Sequence, residues 1–261
     1  MVRVFTFASG KGGTGKTTMT INLGTSLAKF GKRTCIMDAD IGMANLGLSI
    51  GLEDVPVTLH EVLAGKASIR DAIYEGPGGV QVVPSGISLQ GFQQSDPERL
   101  RDVLKDLTDT LDYLLIDAPA GISRDGVVPL AVADDVILVV NPELSAIVDA
   151  MKTKILAEVV GGHVRGAIIN RATSESAGTV SQKMEKVLGT RVIGMVPEDP
   201  QVRKAASAKV PVVIKYPTSI SSVAIRKIAA GLAGITYDKE VMEPKDTFID
   251  RFTKVIFRGK K

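Results

Sequence analysis

The sequence predicts a single doubly wound α/β domain on a mostly parallel sheet. Three observations carry that expectation. Short runs rich in β-branched residues alternate with longer stretches of helical pattern. The short runs are apolar throughout, as in strands covered on both faces, rather than apolar and polar by turns. No domain linker breaks this order before about residue 237, and no repeat recurs at a fixed period.

Taken in order, residues 2–8 (VRVFTFA) read as the first strand and residues 16–30 as the first helix. Strands follow at 34–38 (TCIMD) and 80–84 (VQVVP), then a helix at 97–108 and a strand at 113–117 (YLLID). The second half gives a strand at 136–141, a helix at 146–160, a strand at 164–170, a helix at 180–188 and a strand at 191–196. Right-handed crossovers would bring the C-terminal end of every strand to one rim, where open α/β sheets bind ligands. Residues 1–236 are therefore read as the globular domain, 237–247 (YDKEVMEPKDT) as a polar linker and 248–261 as a separate terminal helix.

Composition narrows the class. With 261 residues, 44% apolar and 23% charged, the chain has the balance of a globular protein. No apolar run reaches the roughly 18–20 residues that span a bilayer. The opening MVRVFTFASG has no separate charged and apolar regions and no cleavage site, so the expectation is a cytoplasmic protein. A lone cysteine, Cys35, excludes an internal disulfide framework and reads as a buried strand residue. His60 and His163 stand at no metal or catalytic spacing. Charge is concentrated at the end: Arg251, Lys254, Arg258, Lys260 and Lys261 against Asp250 give residues 248–261 a net of +4, so an overall +3 leaves −1 for the rest. That argues against a broad nucleic-acid face on the core.

Residues 10–18 read GKGGTGKTT. Gly10, Gly15, Lys16 and Thr17 match G-x-x-x-x-G-K-S/T between a strand and a helix, the phosphate-loop pattern of P-loop NTPases. Gly10, Gly12, Gly13 and Gly15 free the backbone around Lys11 and Thr14 to turn its N–H groups inward on an anion. Lys16 is expected to reach the outer phosphates, Thr17 to ligate Mg²⁺, and the helix opening through Thr18 to point its positive end at the nucleotide. The same letters spell G-x-G-x-x-G with Asp38 about 20 residues on, a dinucleotide fingerprint. Lys16-Thr17 discriminates, because a dinucleotide site has no use for a lysine and a metal-binding hydroxyl there. MgATP is the expected ligand.

Other polar residues end strands on the same rim. Asp38 and Asp40, with Asn45 following, suit Mg²⁺ and the positioning of water; a helix cap is the plain alternative for Asp38. Asp117 ends an apolar strand within LLIDAPAG and fits a carboxylate holding Mg²⁺ directly or through water, while Gly121 would let a phosphate-sensing loop move. Asn170-Arg171 and Pro197-Glu198-Asp199 end two further strands. An Asn amide offers a donor and an acceptor to a purine edge, and ordinary polar turns are the alternative.

Lys11 inside the loop, DAD at 38–40, DAPAG at 117–121, NPE at 141–143, NR at 170–171 and PED at 197–199 occur in that order. Together they resemble the deviant-Walker ATPases of the MinD/ParA group, and within it the archaeal MinD-like proteins, over residues 1 to about 235. The resemblance implies that two subunits sandwich two ATP molecules. It implies that Lys11 reaches the partner's phosphates, Lys16 and Thr17 act within the subunit, and Asp40 orients the attacking water. Asp38 would support Mg²⁺ or a switch, Asn170, Arg171 and Pro197, Glu198 and Asp199 would frame adenine, and residues 41–48 and 118–126 would be the switch loops. Glu143 and Asp149 would lie near the surface that forms the dimer and receives a regulatory protein. Iron–sulfur relatives need paired cysteines, which this chain lacks. A ParA-type DNA-segregation ATPase remains the second reading, weakened by the −1 charge of the core.

In the terminal FIDRFTKVIFRGKK, a helical projection gathers Phe248, Ile249, Phe252, Val255 and Ile256 within about 120°, with Arg251, Lys254 and Arg258 opposite and only Phe257 out of place. Fourteen helical residues reach about 21 Å, short of a core of about 30 Å. This amphipathic helix is expected to lie on an anionic membrane surface, as the resemblance also implies, at the cytoplasmic face. A helix packed on the protein's own core is the alternative.

Overall fold

A computed structural model describes residues 2–237, apart from 87, 108, 122–123 and 174–176. The readings on residues 238–261, including the terminal helix, lie outside the described residues.

Eight strands form one sheet: β1 (Arg3–Ala8), β2 (Thr34–Asp38), β3 (Tyr74–Glu75), β4 (Gln81–Val83), β5 (Tyr113–Asp117), β6 (Asp135–Val140), β7 (Val164–Ala172) and β8 (Val192–Pro197). Their order is β3-β4-β2-β5-β1-β6-β7-β8. Every pairing is parallel except β3 with β4, a short antiparallel edge. The helices are α1 (Lys16–Lys29), α2 (Leu59–Leu63), α3 (Leu89–Gln94), α4 (Leu100–Lys105), α5 (Arg124–Ala131), α6 (Leu144–Val159), α7 (Ala177–Leu188), α8 (Pro200–Ser207), α9 (Val212–Lys215) and α10 (Ile220–Ala233). None of the described helices is long and apolar enough to cross a membrane.

Both faces of the sheet are covered, which explains the continuous apolar strands. In β2, Ile36 packs with Leu23 and Leu27 of α1 and Ile225 of α10 on one face. Cys35 and Met37 point the other way, to Leu59 and Leu63 of α2 and Leu104 of α4, the alternation of a strand. Beyond β1, the second face is closed by Ala150 and Ala157 of α6 and Met184 and Leu188 of α7. Burial pushes the Cys35 thiol up to about 12, so it is an inert core residue.

One expectation needs correction. The stretch 97–108 is not one helix: Asp96 caps a single 3-10 turn at Pro97–Arg99, and α4 runs on only to Lys105. The largest omission is α10, a full 14-residue helix beneath β8.

Candidate functional site

β1 lies between β5 and β6, so the loop leaving it sits where the winding of the sheet reverses. That loop, residues 9–15, enters α1 at Lys16. Gly13 and Gly15 adopt φ of 79° and 90°, a left-handed backbone in which a side chain costs roughly 1–2 kcal/mol. Two elements press against the loop. A Cβ at Gly10 would lie 2.2 Å from the Asp149 carbonyl carbon of α6, and one at Gly15 would lie 2.3 Å from Asn170 Nδ2 of β7. The Asn170 amide donates to the Thr14 carbonyl at 2.7 Å. Lys11 and Gly12 are exposed at the tip, and no ion pair holds Lys11 among the described residues.

Asp117 is the hub. The parallel register sets it beside Phe7 of β1 and Asp38 of β2. It is fully buried. Its Oδ1 accepts from Lys16 Nζ at 2.8 Å and Thr20 Oγ1 at 3.2 Å, and its Oδ2 accepts from Thr17 Oγ1 at 2.5 Å. The motif lysine, the motif hydroxyl and the second-motif carboxylate therefore form one constellation.

Asp38 is held by the backbone of the loop that follows it. Its Oδ1 accepts from the Asp40 N–H, and its Oδ2 accepts from the N–H groups of Asn45 and Leu46, at 3.0–3.2 Å. Burial, then the neighbouring Asp117 carboxylate, pushes Asp38 up to about 8 against those N–H groups and Lys16. The side chain anchors the loop at 40–46. No cluster of three or more His, Cys, Asp or Glu suited to a metal occurs among the described residues; of the residues expected at Mg²⁺, Thr17 and Asp117 are in direct contact, and Asp38 lies beside Asp117 in the neighbouring strand. Asp40 is half-buried on the rim, and its Oδ1 accepts from the Met43 N–H at 3.0 Å. Burial raises its pKa, with the Met43 N–H and Lys16 opposing and Asp117 and Asp125 adding.

On the other side of the loop a small cleft brings together Gly15, Thr18, Asn170, Arg171, Pro197, Glu198 and Asp199. Met19, Val202 and Arg203 complete it and were not foreseen. Two side chains in it also hold the structure together. The Asn170 NH₂ donates one hydrogen bond to the phosphate loop. The Asp199 carboxylate caps α8 through the Gln201 N–H at 2.9 Å and holds the Ser221 hydroxyl at 2.7 Å, which leaves the turn's backbone to shape the cleft. Arg171 has φ 55° at a break in the β7–β8 register, and Glu198 lies between Arg171 and Arg203 at 3.7 and 3.6 Å.

Glu143 is exposed and precedes α6; Asp149 pairs with Lys152 at 3.2 Å on the same helix. The outer face of α6 exposes Leu144, Val148, Met151, Ile155 and Val159 in helical register, Leu144 and Val159 each at 78%. The histidines are structural: His60 Nε2 meets the Ile41 carbonyl at 2.9 Å, and His163 Nδ1 pairs with Asp135 at 2.7 Å.

The arrangement fits a magnesium nucleotide. Thr14 Oγ1 and Asn141 Oδ1 are buried without hydrogen-bond partners. The loop has no side chain beyond Cα at four positions. A lysine and a hydroxyl share one carboxylate at the N-terminus of a 14-residue helix, a site suited to phosphate oxygens and a hard cation.

The chain matches the CobQ/CobB/MinD/ParA nucleotide binding domain over residues 5–212. It is 50% identical over 257 residues to an uncharacterized ATP-binding protein of Methanocaldococcus jannaschii, covering 98% of this chain and 97% of that one. Among solved structures, it resembles the cell division ATPase MinD of Pyrococcus furiosus with a TM-score of 0.83 and 36% identity, covering 90% and 99% of the two chains. It also resembles the septum site-determining protein MinD of Pyrococcus horikoshii, solved with Mg-ADP, with a TM-score of 0.82 and 33% identity over 94% and 100%.

Proposed function

Since this chain belongs to the CobQ/CobB/MinD/ParA nucleotide-binding family, as a MinD-like P-loop ATPase homologous to the cell-division MinD proteins, we propose that it hydrolyses MgATP to control a membrane-associated homodimer. The observation that carries this reading is the sharing of Asp117 by Lys16 and Thr17 beneath a loop whose second lysine, Lys11, is exposed and unpaired among the described residues. Lys16 and the loop N–H groups would hold the outer phosphates, and Thr17 with Asp117 would hold Mg²⁺. The metal, when bound, neutralises charge on the phosphate oxygens. Phosphoryl transfer needs positioning more than a strong base, and Asp40 is the carboxylate on the rim available to orient water. Asn170, Arg171 and the 197–199 turn would flank the base.

Lys11 of each copy would complete the other's site, so the dimer would last while ATP is intact. A regulatory protein would meet the face bearing Glu143, Asp149 and the apolar stripe of α6. The tail, through Phe248, Ile249, Phe252, Val255 and Ile256 with Arg251, Lys254 and Arg258, would rest on the anionic cytoplasmic face of the membrane. One short helix binds weakly and two on a dimer bind with avidity, so hydrolysis would release the protein and allow it to position a division site or another structure. The test is co-sedimentation with anionic liposomes in ATP, ADP or no nucleotide, with and without residues 248–261. Pelleting should require both ATP and the tail, with ATP binding unchanged by the deletion. Undiminished pelleting of the truncated protein would sink the reading, and ATP-dependent binding to nonspecific DNA at fixed salt would favour the DNA-segregation alternative.

A further inference from the structure

A groove of about 610 Å³ lies between β8 and α10, running from Arg191 before the start of β8 to Ile220 at the start of α10. Its floor is apolar, with Ile193, Met195, Val223 and Ala224, and Ile220 stands exposed at one end. Its charged lining residues are Arg165, Arg191 and Lys227, and no carboxylate among the described residues lines it. Arg165 is already paired with Asp135 at 3.1 Å, which leaves Arg191 and Lys227 as the cations facing outward. β8 is the last strand of the sheet, so no described strand pairs with its outer edge.

The chain itself arrives here. After α10 it turns at Gly234, and the Tyr237 ring lies 5.9 Å from Lys227 Nζ. The Tyr237 hydroxyl is buried without a hydrogen-bond partner. The next nine residues, DKEVMEPKD, carry Asp238, Glu240, Glu243 and Asp246 against Lys239 and Lys245, with Val241 and Met242 between them. An acidic segment with an apolar centre thus begins beside a basic groove with an apolar floor. Length permits the match: α10 spans about 21 Å, and nine extended residues reach about 30 Å. A tethered segment needs only weak contacts, since its effective concentration is in the millimolar range.

We infer that residues 238–246 dock in the β8–α10 groove of their own chain, retracing α10 from Tyr237 toward Ile220. Acidic side chains at 240 and 243 meet Arg191 and Lys227 in turn, and Val241 and Met242 cover the apolar floor. α10 runs antiparallel to β8, with its N-terminus tied to Asp199 at the nucleotide rim. The docked strap therefore carries the start of the tail from the far end of the sheet to the rim that bears the ATP site. That consequence rests on the proposed function of the tail; the docking itself does not.

The test is disulfide trapping in the full-length chain without nucleotide or membrane. Native Cys35 is fully buried and does not compete. Ala224→Cys with Val241→Cys, or Val223→Cys with Met242→Cys should one pair disturb folding, is expected to form an intramolecular bond about tenfold more than a control pair, Arg101→Cys with Val241→Cys. Lys227→Glu with Arg191→Glu should reduce trapping to the control level, and adding Glu240→Lys with Glu243→Lys should restore it. Trapping equal to the control in folded protein, trapping between two chains, or trapping indifferent to charge reversal would each overturn the proposal. None of these outcomes bears on ATP binding or turnover.

Discussion

Asp38, Asp40 and Asp117 are three carboxylates on one rim with three different surroundings. Asp117 is held by Lys16, Thr17 and Thr20; Asp38 is held by backbone N–H groups of the following loop; Asp40 is half-buried and accepts from one N–H. Asp40 is the one whose loss leaves both the phosphate loop and the loop anchor intact. Asp40→Ala is therefore expected to keep ATP binding and lose turnover by about 10²-fold or more. Single-turnover kinetics beside an ATP titration check it, and normal turnover would refute the role. Asn170 acts one step away, on the Thr14 carbonyl. Removing one neutral hydrogen bond worth about 1 kcal/mol predicts that Asn170→Ala weakens ATP binding about fivefold by calorimetry, with turnover at saturation little changed. Lys16, Thr17 and Asp117 were legible from residue letters because their chemistry requires those types at that spacing. The hold of Asp38 on the following loop was not, because an acid at a strand end does not say which N–H groups it will meet; the positions of the Asn45 and Leu46 N–H groups show that.

At the scale of elements, every strand but the two-residue β3 was readable and several helices were not. A strand buried on both faces advertises itself by its unbroken apolar run. α10 contains small and polar residues, Ser221, Ser222, Ala229 and Ala230, that are buried because it packs closely on β8 and α1, and such residues blur a helical stripe. Its ends were legible in principle: Ser219 accepts from the Ser222 N–H, and Gly234 takes φ 66° as the stop. The Pro197–Asp199 turn stands at the expected position on the rim, and Asp199 there joins three elements by capping α8 and holding α10 beside the end of β8. Burial works against the Asp199 charge, yet hydrogen bonds from Gln201 and Ser221 hold its pKa below the usual carboxylate value. A depressed acid adds stability above its unfolded pKa of about 4 and loses that stability as pH falls through its folded value. Asp199→Ala should thus cost about 1–2 kcal/mol near pH 7, a fall of roughly 2–6 °C in Tm. The gap from the natural protein should narrow as pH drops below about 4. A gap that stays constant across that range would show that the cap acts without its charge.

Over the whole molecule, alternation of strands and helices with right-handed crossovers was enough to bring residues 10–18, 38–40, 117, 170 and 197–199 to one rim, because that convergence follows from topology. The β8–α10 groove was beyond such reasoning, since it depends on how a particular helix face meets a particular edge. The charge distribution, −1 for residues 1–247 and +4 for residues 248–261, leaves the globular part with little attraction of its own for an anionic surface. Membrane binding should then depend on how many tails one particle presents. Lys11 offers a way to change that number without touching the tail: it is exposed on the phosphate loop, apart from the Lys16–Asp117 ion pair that ties the end of the loop to β5 of its own subunit. In Lys11→Ala, ATP binding by the single chain should stay within a few-fold, and light scattering with ATP should report a monomer. Turnover should fall about 10³-fold, the scale of a cation supplied across an interface. Liposome pelleting with ATP should be lost although residues 248–261 are intact, because one helix lacks the avidity of two. If the variant is monomeric and still pellets with ATP as well as the natural chain does, recruitment does not run through the dimer, and nucleotide must act on the tail within one subunit.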